Sequence, residues 1–217
     1  MNNVAIIDGL IQYCCLLVLI TFHECAHAWT AMKCGDNTAR DQGRVSLNPI
    51  VHIDMIGTVA LPLLVIFLGA VGSSLGGFII GWGKPVPVDL DNVRHRRRDD
   101  VLISLAGPAM NLALAVVTMG LAKAGLLADS TVMVRMAVQL TELSLLLCFF
   151  NLLPIPPLDG SHLLKNLIGM SDETYYRLCP FSFIILIVAI QIPLVQGILN
   201  GAMRWSFGLI CLLYQIR

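Results

Sequence analysis

The sequence predicts an all-α polytopic membrane protein with five to six transmembrane helices. Of its 217 residues, 57% are hydrophobic and 13% charged, against roughly 25% charged in a soluble domain. Mean hydropathy is +0.79. The apolar residues run on continuously and do not alternate with polar ones. That pattern excludes a membrane barrel and leaves helices to satisfy the backbone in lipid.

Five apolar segments reach or approach the roughly 20 residues that a span requires: 5–33, 54–70, 101–126, 132–153 and 181–199. A sixth, 202–216, is apolar but short. No repeat, low-complexity tract or appended soluble domain interrupts them, so residues 1–217 read as a single integral-membrane domain. The first run is too long for a secretory leader and lacks a basic start and a small-residue cleavage site. The formal net charge of zero carries no footprint for nucleic acid. Seven cysteines without a C-x-x-C pair read as small apolar packing residues.

Clustered positive charge predicts topology. Lys33, Arg40, Arg44, Lys84, Arg94 and Arg96 to Arg98 lie between the first segment and the one starting near 101, and Lys165 and Arg177 follow the fourth. The loops 34–53, 84–100 and 160–178 are therefore expected on the cytoplasmic side, with the N-terminus and the turn at 127–131 outside. Residues 54–83 must then enter the membrane and return. A helix over 54–70 leaves too few residues for a second span, so a glycine-rich re-entrant or extended segment is expected near 71–88. Non-helical backbone at that depth is tolerated only against protein or a water-filled cavity.

The chemistry is concentrated in His23-Glu24-Cys25-Ala26-His27, inside the first apolar segment. Residues four apart on a helix lie about 40° apart around its axis, so both imidazoles can grip one zinc ion. Glu24 can take a proton from a water beside the metal. With five His and three Glu in the chain, chance would yield this pattern on the order of 10⁻³ times. Cys25 faces away from His23 and is not expected to be a ligand. A third ligand candidate is Asp159. Pro154, Pro156 and Pro157 must end the helix over 132–153, and Asp159 stands just after that break. Its alternative role is a plain N-cap. Near the inner end of 101–126, Asn111 could contact a substrate carbonyl or hold a helix contact. The helices 5–33, 101–126 and 132–153 would then form the active-site core, in the cytoplasmic half of the membrane.

These residues resemble the site-2 protease family of intramembrane zinc metalloproteases, peptidase M50. The likeness rests on His23-Glu24-x-x-His27, Gly107-Pro108-x-x-Asn111, and Asn151-x-x-Pro154 leading into Leu158-Asp159-Gly160. It extends through Gly43-Arg44-Val45-Ser46-Leu47-Asn48-Pro49, His52-Ile53-Asp54 and Gly81-Trp82-Gly83-Lys84-Pro85-Val86-Pro87-Val88. The pattern is similar to the compact bacterial branch that lacks PDZ and CBS domains. The resemblance implies one zinc ion per chain held by His23, His27 and Asp159, with Glu24 as the catalytic base and Asn111 and Asn151 in support. It implies membrane-protein substrates, a lipid bilayer around the chain and a bacterial cytoplasmic membrane.

A helical substrate must unwind before its carbonyls can be attacked, and an extended edge could hold it by strand addition. Gly83, Lys84 and Val86 are the candidates for that edge. Pro85 and Pro87 would remove donors from one side, and Lys84, Val86 and Val88 would present theirs on the other. Glu142 is expected to make a structural hydrogen bond, His52 to be structural, and His162 to stand behind the metal ligands or at the surface. The competing reading is a non-catalytic zinc-binding membrane scaffold or a metal transporter. Oligomeric state leaves no mark in the sequence.

Overall fold

A computed structural model describes residues 3–71 and 81–216. The center of the expected re-entrant return, 72–80, lies outside the described residues. The chain divides into two compact units, Met1–Asn92 and Val93–Arg217.

In the first unit, helix α1 spans Asn3–Cys34. Its apolar portion, Ile6–Cys34, is 29 residues long, more than the roughly 20 that cross a bilayer. Helix α2 (Thr38–Asp41) and a 3₁₀ turn over Pro49–His52 follow. A π-helical turn, Met55–Ala60, then runs into α3, Leu61–Ala70. Asp54 caps that turn by accepting from the Ile56 and Gly57 N–H groups at 3.0 and 2.7 Å. Helix α1 packs against α2, the 3₁₀ turn and α3. Its end is tied down by Asp36, which is fully buried. The Asp36 carboxylate accepts from Thr38 N–H at 3.0 Å, Asn92 Nδ2 at 3.3 Å and Asp89 N–H at 2.8 Å.

In the second unit, α4 (Arg96–Leu127) and α5 (Thr131–Asn151) form an antiparallel pair. The turn between them ends in Ser130, whose hydroxyl caps α5. Helix α4 starts five residues earlier than the apolar run predicts. Asp99 reaches back to the His95 N–H at 2.8 Å and so lets the arginine-rich stretch enter the first turn. Pro108 stands inside α4, as membrane helices tolerate. Short helices α6 (Asp159–Ile168) and α7 (Asp172–Leu178) lead into α8 (Ser182–Gln191) and α9 (Pro193–Leu213). Met119, Ala122, Ala137, Leu145 and Ile210 form a core shared by α4, α5 and α9.

Among the described residues, four stretches are long and apolar enough to cross a membrane: Ile6–Cys34, Arg96–Leu127, Thr131–Asn151 and Asp172–Gln191, with Met55–Ala70 a shorter apolar helix. The polytopic all-helical class stands. The expected segment 181–199 does not. It breaks at Ile192, which is extended (φ −73°, ψ 121°) because Pro193 follows. Residues 202–213 therefore belong to the same helix as 193–201, not to a separate short one.

Candidate active site

Helix α1 presents His23 and His27 on one face, both buried. Their Nε2 atoms are 3.0 Å apart, with the ring planes at 80°. Two nitrogens that each bond a tetrahedral zinc at about 2.0–2.1 Å would stand about 3.3 Å apart. The pair is thus close to the spacing that the metal demands, and imidazole nitrogen is a donor zinc accepts. Glu24, half-buried, follows His23.

Residues 82–85 are held by residues 44–58, and Gly81 and Gly83 lie against this helix. The Trp82 N–H donates to Gly57 O at 3.2 Å, and the Lys84 N–H to His52 O at 2.9 Å. The Thr58 hydroxyl donates to Trp82 O at 2.7 Å. Arg44 donates to Lys84 O, to Pro85 O at 3.2 Å and to Val51 O. The alternation is that of an extended chain, in which one residue's N–H and C=O point to the same edge. The Lys84 N–H, expected to be offered to substrate, is therefore already taken by His52 O. Lys84 turns its donor inward, because residues 52–58 and Arg44 occupy that side. Gly83, between Trp82 and Lys84, turns to the opposite edge by that alternation, whereas the Pro85 carbonyl is taken by Arg44. Gly83 also lies directly over Glu24. A Cβ there would meet Ile20 Cγ2 at 2.7 Å and Glu24 Oε1 at 3.1 Å, so only glycine allows this approach.

Arg44, which in sequence stands out only as a topology charge within a longer motif, is 4% exposed. Burial pulls its guanidinium down from the usual range, and the negative charge of Glu24 works against that shift. His52 is buried as well, and its Nε2 meets Ser46 O at 2.8 Å, in keeping with a structural role.

In the second unit, Asp159 is the first residue of α6 and half-buried. The N-cap is Leu158, so Asp159 is not the plain cap considered as its alternative role. Gly160 is what lets α6 begin here, since a Cβ would collide with the carbonyls of Leu152 and Leu153. Asn111 on α4 is fully buried, and its main-chain carbonyl accepts from the Ser144 hydroxyl at 2.7 Å. Asn151, the last residue of α5, donates its amide to Leu147 O at 2.9 Å. Glu142 lies on an exposed face of α5. His162, expected behind the metal ligands or at the surface, places Nδ1 2.9 Å from Asp100 Oδ1.

The pattern described as "Peptidase family M50" matches residues 12–127 and 118–189. The chain belongs to peptidase family M50. It is 36% identical over 187 residues to "Putative zinc metalloprotease YwhC" of Bacillus subtilis, covering 82% of this chain and 79% of that protein. The Rip2 proteins of Mycolicibacterium smegmatis and Mycobacterium tuberculosis bear the same description. They are 32% and 35% identical, over 89% of this chain and 69% and 71% of theirs. No solved structure matches the chain. M50 membership decides against the scaffold and transporter readings. The protein is a zinc metalloprotease with membrane helices, and its substrates are proteins.

Proposed function

We propose that the chain is an intramembrane endopeptidase that cleaves transmembrane or membrane-proximal segments of other proteins. His23 and His27 of α1 and Asp159 of α6 hold the zinc, Glu24 is the base, and both units serve one catalytic domain. The observation that carries this reading is the buried His23–His27 pair at 3.0 Å, set with Glu24 in a helix apolar enough to span a membrane. Two imidazoles and one carboxylate make a donor set fit for a metal ion and leave one tetrahedral position open. The exposed Arg94, Arg96, Arg97 and Arg98 at the start of α4 support a cytoplasmic face there. The bacterial relatives favor a bacterial cytoplasmic membrane as the setting, with the site in its inner half as the reading to be tested.

Zinc, when bound, supplies Lewis acidity that lowers the pKa of a water to near 7 and polarizes a carbonyl. Glu24 accepts the proton from the attacking water and returns it to the leaving nitrogen. Gly83 presents its main chain beside Glu24 and pairs with an unwound stretch of substrate. Pro85 and Pro87 have no N–H, so Gly83 is the one position of the three able to both donate and accept. Lys84 and Val86 act from the other edge, as part of the support under this strand. Asn111, where α4 meets Ser144 of α5, and Asn151, at the end of α5, support the helices of the second unit.

The test uses purified chain in liposomes with a panel of tagged single-span membrane proteins. Wild-type chain should cut within or beside the span of at least one. Glu24→Gln should hold about one zinc per chain and cut none. Peptidase activity retained by Glu24→Gln would refute the mechanism.

A further inference from the structure

Helix α6 carries Asp159 at its first position and is only ten residues long. Three of its side chains converge on one residue of α4, Asp100, which is 4% exposed. Both carboxylate oxygens of Asp100 are engaged by α6. The partner of Oδ1 is His162, whose Nδ1 stands at 2.9 Å. Asn166 Nδ2 donates to Oδ2 at 2.7 Å, and Lys165 Nζ lies 3.3 Å from the same oxygen. Residues 162, 165 and 166 share one helical face, and Asp159, three before His162, lies on that face too. Lys165 is linked onward to Asp172 at 2.7 Å, and Asp172 to Arg96 at 2.8 Å.

We propose that Asp100 is a positioning residue for the protease reaction: by holding His162, Lys165 and Asn166 it fixes the rotation of α6 and so aims the Asp159 carboxylate. The inference rests on the ligand role proposed for Asp159. Geometry makes the demand strict. A turn of α6 by about 20° would sweep a side-chain tip about 2 Å, given a helix radius of about 5–6 Å with side chains. Metal–ligand distances tolerate about 0.2 Å. The proline-rich break before Asp159 cannot supply this control, since it attaches α6 only at one end. Three bonds to one buried carboxylate do supply it.

The experiment measures zinc affinity of the full chain in detergent by competition with a chelator of known affinity, alongside thermal unfolding. Asp159→Ala should lower zinc affinity strongly. Asp100→Asn places an amide donor against donors of α6 and should weaken zinc about 10- to 100-fold, the usual effect of losing a partner behind a ligand. His162→Ala should also weaken it, and His162→Gln, whose amide can donate to Asp100, should recover most of the loss. Asp172→Asn breaks only the outer link, so it should lower thermal stability and leave zinc affinity within about twofold of wild type. If Asp159→Ala leaves zinc affinity intact, the ligand assignment itself fails, and this inference with it. If Asp159→Ala weakens zinc but Asp100→Asn and His162→Ala do so no more than Asp172→Asn, the positioning role alone is overturned. Should Asp100→Asn not fold, the His162→Ala and His162→Gln pair decides.

Discussion

Gly83 backs onto Glu24 so closely that an added methyl group would stand 3.1 Å from Glu24 Oε1. The base and the proposed substrate edge are therefore one packed unit, and a change at either displaces the other. Gly83→Ala should reduce cleavage about 100-fold, the scale on which a displacement of about 1 Å acts. Zinc content should not change, because His23 and His27 are untouched. Metal analysis beside a cleavage assay checks this. Activity within twofold of wild type would show that the close approach has no catalytic consequence.

Arg44 holds this edge through the carbonyls of Val51, Lys84 and Pro85. Lysine has one charged tip and cannot reproduce the guanidinium fork. Arg44→Lys should leave at least one of these partly exposed carbonyls without its donor, a loss of about 0.5–1.5 kcal/mol. The expected readouts are a lower unfolding temperature, faster proteolytic nicking between residues 82 and 88, and reduced cleavage of substrate. Unchanged nicking would mean that Arg44 does not restrain the segment.

The parts of the site legible in the sequence are those set by local geometry. His23, Glu24 and His27 follow from helical spacing alone, and the break before Asp159 follows from three prolines. What escaped was decided by partners distant in the chain. The direction of the 82–85 edge depends on Arg44 reaching residues forty positions away. The setting of α6 depends on Asp100, 62 positions before His162. The expected segment 181–199 fails for a different cause. Its hydropathy is uniform, and hydropathy does not register the missing N–H of Pro193.

Acid should loosen the first unit at Asp36. Burial pushes that carboxyl up, but hydrogen bonds from Thr38, Asp89 and Asn92 outweigh it and hold the pKa below the usual carboxylate range. A depressed folded pKa contributes stability that is full above the unfolded value, about 3.9, and drains as pH falls through the folded value. Hydrogen exchange at residues 36–38 and 89–92 should therefore rise below about pH 4. Asp36→Asn should expose the same amides at neutral pH and remove that acid dependence. An acid response identical in the variant would assign it to other groups.

The α4–α5 pair carries a buried bond between the Thr118 and Thr141 hydroxyls at 2.8 Å. Each hydroxyl has one hydrogen, and each also approaches a carbonyl of its own helix, Leu114 O and Ala137 O. One must therefore donate across the pair while the other donates back to its helix. Thr141→Val should cost about 0.6–1.7 kcal/mol, the range of hydrogen bonds between membrane helices. Thr118→Val with Thr141→Val should cost less than the sum, since no hydroxyl is left facing a lost partner. Additive costs in a double-mutant cycle would mean that the two hydroxyls are not coupled.

Removal of zinc should stop the reaction without unfolding the chain. The helix that carries His23 and His27 forms because its backbone must be satisfied in lipid, and the metal is not needed for that. This differs from a small zinc domain, whose folding free energy is the metal's binding energy. Chelation should abolish cleavage, leave the far-ultraviolet circular dichroism unchanged, and be reversed by added zinc. The stability change should be only that of ligand linkage, about 2.7 kcal/mol when free zinc is 100 times its dissociation constant. His23→Ala should behave as the chelated wild type and show no further response to chelator. A large loss of helix on chelation would instead assign the metal a structural role.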